Sequence, residues 1–481
     1  MMDPQRGITG RFLGALVLLL CASSFPASAQ TELDVREFGA LGNGSADDAP
    51  AIQRALDAAA GRKAIVRLPA GTYRIGQTLL PPDAVEVRGA SAASSILLGA
   101  SLDRPIVDVS GRRQVTFRSL TLTFRSRDYD RKGASAALVG GARKDSGPAT
   151  DISIIDCVVS DTPKQGIIGN GSVRGGGPLR WRIAGSRFTN IGRGGAIFLS
   201  GDGIIVEDTV FERTGDDAIA FLLSTRNSVA RRNTIRDAGV LLDQGSGIKV
   251  HGNDNLIEDN DIQGFVNAGI NLKKGNPKDA TAPTNNRIER NRIARPIDLP
   301  RKANQAGIQI NDAAGGVLIR DNRLDVSSAQ RNYDGIRIET SPLAEIRIEG
   351  NQIDAALASA PGMVAVRVLS SVSLLEIRGN SFRVLGDGVL LRTHRKGGRV
   401  LVADNKFLSA GEHPIVSLPK ASAGLKQLVV RGNSLQDRQR GPLLSLADRP
   451  IDELDESGNT GGEAVRKGEG LKGIGRRLQS R

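Results

Sequence analysis

Lys249 and His251 in SGIKVH, Asn271, Lys273 and Lys274 in AGINLKK, Gln309 and Asn311 in AGIQIN, and Arg337 and Glu339 in DGIRIE hold matching places in successive short segments. Cations there can neutralise a carboxylate, a neutral His or a Lys of lowered pKa can remove a neighbouring proton, and amides can orient hydroxyls. Lys249, Lys273 and Arg337 are the candidate neutralisers and His251 or Lys273 the candidate base. Asn271, Gln309, Asn311, Lys274 and Glu339 are candidate substrate-binding groups. Upstream, TGDDAIAF carries the carboxylate pair Asp216 and Asp217. Two carboxyl groups roughly 5–10 Å apart are what glycoside hydrolysis needs, whereas an Asp before a strand is also an ordinary turn residue. Glu339 beside Arg337 reads equally as a surface ion pair, worth under about 1 kcal/mol.

These residues share a face only if the segments stack, and the chain contains the repeat that would stack them. A phrase apolar-x-x-Asn-x-apolar returns as VARRNTI, LIEDNDI, RIERNRI, LIRDNRL, RIEGNQI, EIRGNSF, LVADNKF and VVRGNSL. Its Asn is residue 233, 260, 291, 322, 351, 380, 405 and 433, in steps of 25 to 31 residues. Ser119, Cys157, Ser186 and Thr209 fill the column upstream, and Asn459 continues it. An Asn at a fixed corner tolerates a left-handed backbone and can stack amide on amide. Between successive Asn residues lies a run alternating at period two and opening on Gly or Asp-Gly, which reads as a turn followed by a strand. The fold class expected is all-β: a right-handed parallel β-helix of about twelve coils. At ~4.8 Å per coil the rod is roughly 55–60 Å long.

Alternation then sorts side chains into inward and outward columns. Ile197/Leu199, Ile219/Phe221, Ile248/Val250, Ile270/Leu272, Ile308/Ile310 and Ile336/Ile338 point inward. One outward column reads Phe198, Ala220, Lys249, Asn271, Gln309, Arg337, Ala365, Leu390, Val416, and the other Ser200, Leu222, His251, Lys273, Asn311, Glu339, Arg367, Arg392, Leu418. Both are polar over the coils from Lys249 to Glu339, roughly 15–20 Å, enough for a few sugar units. The long connections Ala294 to Ala306 and Val326 to Asp334 are expected to wall this groove.

Of 481 residues, aromatics make up 3% and Gly 58 residues, too little bulky apolar material for several globular cores. The net charge of +13 favours an anionic partner, and one Trp with three Tyr supplies few stacking platforms for nucleic acid. Residues 1–29 read as an export signal, with Arg6 and Arg11, an apolar run from Leu13 to Cys21 and Ala27-Ser28-Ala29 before the cleavage point. A periplasmic or secreted monomer is expected, with no membrane span. Cys157 is then the only remaining Cys, so no internal disulfide forms. Ile52, Ala55, Leu56 and Ala59 share a helical face after Asp47 and Asp48, giving a helix that caps the N-terminal end. Residues 30–100 are the cap and first coils, 101–460 the repeats, and 461–481 a basic tail expected to be disordered.

DVREFGALGNGSADDAPAIQRALDAA, followed by IVRLPAGTYRI, resembles the opening segment of the pectate-lyase-like superfamily, of the rhamnogalacturonase and epimerase type. The resemblance implies a right-handed β-helix acting on a carbohydrate polymer, with Asp47 and Asp48 structural. INLKKG is similar to the strand in which alginate and chondroitin lyases carry Arg-His before Gly; Lys273 and Lys274 stand there instead. TGDDAIAF is similar to the paired-Asp motif of polygalacturonases, but the neighbouring coils read RGGAIFL and GSGIKV, with Ser246 in place of that family's His. A lyase or epimerase on a uronate-containing acidic polysaccharide is the leading expectation. A polygalacturonase-like hydrolase and a non-catalytic glycan-binding protein are the alternatives. Lyases of this group can take Ca2+, but no converging set of carboxylates is legible, so no cofactor and no metal site is expected.

Overall fold

Three short runs of Ile, Val and Leu in each repeat, broken by residues that accept tight turns, fold as three strands per coil. In the computed structural model these strands stack into three parallel sheets of 17, 15 and 13 strands, a β-helix of about thirteen turns where the sequence suggested about twelve. The structure describes residues 31–461 and 474–478, except 170–176, 224, 276–281, 298–304, 313–314, 329–332, 340–343, 357–361, 394–396, 409–415, 420–421, 437–442 and 447–450. The expected export signal and much of the two long connections lie outside the described residues. In the basic tail, Ile474–Leu478 is a strand paired in parallel with Ile451–Ser457, so the expectation of disorder does not hold for it. The rest of the tail beyond residue 461 also lies outside the described residues. No helix among the described residues is long and apolar enough to cross a membrane.

The inward column repeats with no slip over eight coils: Ile167, Ile197, Ile219, Ile248, Ile270, Ile308, Ile336 and Val366 pair in order, each fully buried. Like side chains stacked at the strand spacing fill a thin core without large aromatics, at about 1.5–3 kcal/mol for each buried aliphatic side chain. The helix Ala49–Ala59 turns Ala49, Ala51, Ile52, Ala55, Leu56 and Ala59 onto this core. Asp47 caps it by accepting from the Ala49 amide at 3.2 Å, while Asp48 accepts from the Leu41 and Gly42 amides and ties down the preceding loop.

At the Asn corner each carboxamide does two jobs. The Asn291 Nδ2 donates to the Ile257 carbonyl at 2.8 Å and to Asn322 Oδ1 at 3.0 Å, and its Oδ1 accepts from the Asn260 backbone N at 3.1 Å. The same pattern continues to Asn459, and upstream Thr209 and Ser186 accept in the same way with hydroxyls. Two expectations change here. The left-handed residue is not the Asn but the one before it, as at Arg232, Asp259, Arg290, Asp321 and Asp404. Ser119 is itself such a residue, and Leu120 stands in the ladder column beside Cys157. Asn291→Ala should cost about 2–3 kcal/mol by leaving buried amide and carbonyl groups unpaired. Urea unfolding with hydrogen exchange read at neighbouring coils checks this; a loss below 1 kcal/mol would make the ladder ornamental.

Part of the basic excess gathers on the 17-stranded sheet, away from the outward columns of Lys249 and His251. Glu207 receives Arg182, Arg231 and Arg232, and Glu289 receives Arg287, Arg290 and Arg320. Net charge alone therefore does not mark the working face.

Candidate functional site on the 13-stranded sheet

The register places Ala220, Lys249, Asn271, Gln309 and Arg337 as vertical neighbours, as the alternation predicts. The next rung is Arg367 and not Ala365, followed by Leu390 and then Ser417 rather than Val416. The second column runs His251, Lys273, Asn311 and Glu339, whose amides donate to Phe221, Val250, Leu272 and Ile310. It continues through Leu369, not Arg367, to Arg392, while Leu418 is inward and fully buried. In MVAVRV a slip of two residues leaves every inward position apolar, so period-two reasoning cannot detect it. The Lys249 column consequently stays polar one rung further than expected.

The face is far from open. Asn271, Gln309 and Arg337 are each under 9% exposed. At its upstream end, Asp217 is fully buried, and the Lys249 ammonium pairs with its Oδ2 while standing 3.9 Å from Asp216 Oδ1. Asp217 Oδ1 accepts from the Ser246 amide at 2.7 Å. Both Asp217 oxygens are thus engaged within the protein, which removes it from the pair of free carboxyls a hydrolase requires and makes it the residue that positions Lys249. Gly195 and Gly245 bracket this turn from adjacent coils. Both have positive φ, and a Cβ at Gly195 would stand 2.1 Å from the Asp217 carbonyl oxygen, one at Gly245 2.4 Å from the Asp216 carbonyl carbon.

Burial and the Asp217 charge push the Asp216 carboxyl up to about 6. Burial works against the Lys249 charge, but Asp217 and Asp216 outweigh it and hold its pKa above the ordinary lysine value. His251, one strand residue past Val250, is driven down to about 4 by burial and by the Lys249 charge, with Lys273 adding to the effect. It is neutral at pH 7, and neither ring nitrogen, both buried, has a partner among the described residues. Lys273 is exposed and Lys274 partly so.

Ten buried side-chain nitrogen and oxygen atoms lack a partner among the described residues. Eight of them lie in, or at the ends of, strands of this one sheet: on Gln165, Ser200, Ser246, His251 (both nitrogens), Asn271, Asn311 and Asp334. Buried polar groups are rarely left unpaired, so their concentration on one sheet singles it out as the candidate face.

Sequence reasoning missed two residues at the downstream end. Asp334 is 2% exposed and its Oδ2 accepts from Arg337 at 3.0 Å and from Arg367 Nε at 2.7 Å, while Arg337 Nε also donates to Glu339 Oε1 at 2.6 Å. Burial raises the Asp334 pKa although both arginines oppose it. The Asp-Gly of DGIRIE reads as a turn signal, but Asp217 and Asp334 both stand two residues before an inward Ile, and that shared place is the clue the sequence offers. Among the described residues no group of three or more His, Cys, Asp or Glu could hold a metal ion.

The two shifted groups pull stability in opposite directions. Asp216 retains a proton that the unfolded chain has released, so its contribution is complete below about pH 4 and is lost as pH rises through about 6. His251 contributes above its unfolded pKa of about 6.5, and that contribution is lost as pH falls towards about 4. Asp216→Asn should therefore steepen the loss of stability on acidification between about pH 6 and 4, and His251→Gln should flatten it. Urea midpoints across that window measure both slopes; unchanged slopes in the two variants would refute the assigned shifts.

The fold is a parallel β-helix with one polar, partly enclosed face. Residues 33–119 match the family model described as rhamnogalacturonase A/epimerase, pectate lyase-like, and residues 165–353 match the one described as right handed beta helix region. These two matches and the parallel β-helix support a pectate-lyase-like superfamily for this chain. Among curated proteins it is similar to the mannuronan C5-epimerases AlgE1 and AlgE3 of Azotobacter vinelandii, 53% identical to each over 51 residues. That segment is 10% of this chain and only 4% and 3% of those proteins. Among solved structures, the A-module of Azotobacter vinelandii mannuronan C-5 epimerase AlgE6 is matched over 91% of this chain and 100% of its own, with 18% identity and a TM-score of 0.49. The Streptococcus pneumoniae surface adhesin PfbA is matched over 93% and 97%, with 13% identity and a TM-score of 0.38.

Proposed function

We propose that this protein acts on a uronate-containing polysaccharide by removing the proton beside the carboxylate, as an epimerase or a lyase. The observation that carries the reading is His251, a neutral imidazole with two buried nitrogens that have no partner among the described residues, set beside the cations Lys249 and Lys273. A uronate carboxylate seated against those cations has its charge offset, which acidifies the neighbouring C5–H. The C5–H bond breaks, its proton passes to a His251 nitrogen, and its electron pair enters the carboxylate as an enediolate. If a proton returns to C5 from the opposite side, the product is the epimer. If the electron pair instead forms the C4–C5 double bond, the C4–O bond breaks and the departing oxygen takes a proton. Asp216, poised near neutrality, is the acid within reach of Lys249. Asn271, Gln309 and Asn311 orient hydroxyls along the groove. The segment shared with two mannuronan C5-epimerases fits this reading. An exported protein fits it too, since residues 1–29 have the composition of an export signal.

The test is incubation of the purified protein in D2O with mannuronan, alginate and polygalacturonate. Deuterium at C5 without shortening identifies an epimerase, and an unsaturated chromophore a lyase. Reducing ends without a chromophore would replace the proposal with a hydrolase, and retention without any change would replace it with a binding protein.

A further inference from the structure

Phe221 pairs with Val250 and Val250 with Leu272, so Leu222, His251 and Lys273 are the next residue on three successive coils. His251 therefore has Leu222 on one side in its column and Lys273 on the other. Lys273 is exposed, and a hydrated ammonium does not keep water from its neighbour. Yet both His251 nitrogens are buried. The apolar side chain that the register sets against the ring is Leu222, itself 7% exposed.

The turn that follows Leu222 is strained. Leu223 has a φ of +44°, and among the described non-glycine residues with positive φ it is the one large aliphatic. A bulky side chain is disfavoured in that region and persists where its surroundings over-determine it, typically beside a functional site. Fully buried Thr225 closes the turn: its N donates to the Leu222 carbonyl at 2.9 Å, and its Oγ1 lies 2.6 Å from that oxygen and 3.0 Å from the Leu199 carbonyl oxygen. From the next coil the Asn253 N donates to the Thr225 carbonyl at 3.0 Å. Gly252, the residue after His251, comes so near that carbonyl that a Cβ would stand 1.7 Å from its oxygen. The Leu222 turn is thus clamped onto the turn that carries His251.

We propose that Leu222 is a positioning residue of this site: clamped over His251 from the adjacent coil, it roofs the imidazole and keeps water off its nitrogens. Its part in catalysis rests on the proton-removal reading above. Three charged groups face the ring. Lys249 on its own strand and Lys273 on the following coil oppose protonation, and Asp217 on the preceding coil favours it. Truncating Leu222 leaves all three in place and admits water, which solvates the imidazolium and makes protonation easier. With the roof in place the imidazole stays neutral in acid media, and the site keeps its proton acceptor there.

Proton NMR of the full chain tests the roof without any sugar, with His251→Gln identifying the resonance. The imidazole should titrate at about 4 in the wild type and about one unit or more higher, towards the ordinary 6.5, in Leu222→Ala. Leu222→Met should restore the wild-type value. Leu223→Gly, which keeps the left-handed turn and removes only its strain, should leave it unchanged. Circular dichroism establishes that each variant is folded, and Leu222→Val, a smaller truncation, should move the titration the same way should Leu222→Ala fail to fold. A titration that stays in place in the folded truncation, or that rises equally in Leu223→Gly, would overturn the roof and leave the proton-removal reading standing. On a uronate polymer the acid limb of the pH–rate profile should move up with the imidazole in the truncation. A limb that does not follow a shifted titration would overturn His251 as the base and leave the roof standing.

Discussion

Asp217→Ala should cost the fold about 3–5 kcal/mol, because it removes the carboxylate paired with the largely buried Lys249 ammonium and leaves only Asp216, 3.9 Å away, beside it. The Ser246 amide loses its acceptor at the same time. Lys249→Met alone leaves the Asp217 carboxylate as the uncompensated charge and should cost a similar amount. The double variant Asp217→Ala/Lys249→Met removes both charges and should recover most of either loss. Because a solenoid can open coil by coil, denaturant midpoints should be read together with hydrogen exchange in the strands Ile219–Phe221 and Ile248–Val250. A double variant no more stable than Asp217→Ala would mean that the pair does not account for the cost. Lys273→Ala removes a solvated charge and should leave the melting temperature unchanged, so a binding defect in it can be read directly.

His251→Gln should lower turnover on a uronate polymer by about 10²–10⁴-fold, the usual contribution of a positioned proton acceptor, while changing KM little. Gln keeps a hydrogen-bonding side chain in place of the ring but cannot accept the proton. The low pKa of free His251 raises the question of how so weak a base could act. Burial and two neighbouring ammonium groups set that value, and a bound uronate carboxylate offsets the part contributed by Lys249 and Lys273. The imidazole should therefore titrate at about 4 in the free protein and higher when an unreactive oligouronate is bound, which proton NMR can follow. Full turnover by His251→Gln, or an imidazole pKa that stays put on binding, would exclude His251 as the base.

Much of this was readable in the chain. The Asn phrase and the alternating phrase set the coil height, and inward Ile at matching places fixed the outward column from Lys249 to Arg337. What could not be read has physical causes. A two-residue slip is silent in a period-two pattern, which misplaced Arg367. Asp is equally at home in a turn and in a buried ion pair, which hid Asp334 and gave Asp217 a catalytic appearance. Burial on the outer face was also illegible, because alternation says which way a side chain points and not what shields it. The shifted Asp216 and His251 follow from that shielding more than from their neighbours in sequence.

In the Asn corner, the positive-φ residue and the carboxamide sit side by side, and the carboxamide bonds within its own coil and to the coils immediately above and below. Such a joint is indifferent to how many others exist. A whole turn could be excised or duplicated there with both cut ends meeting partners they already recognise. The number of coils is therefore an inheritable integer, adjustable by unequal recombination without redesigning any surviving contact.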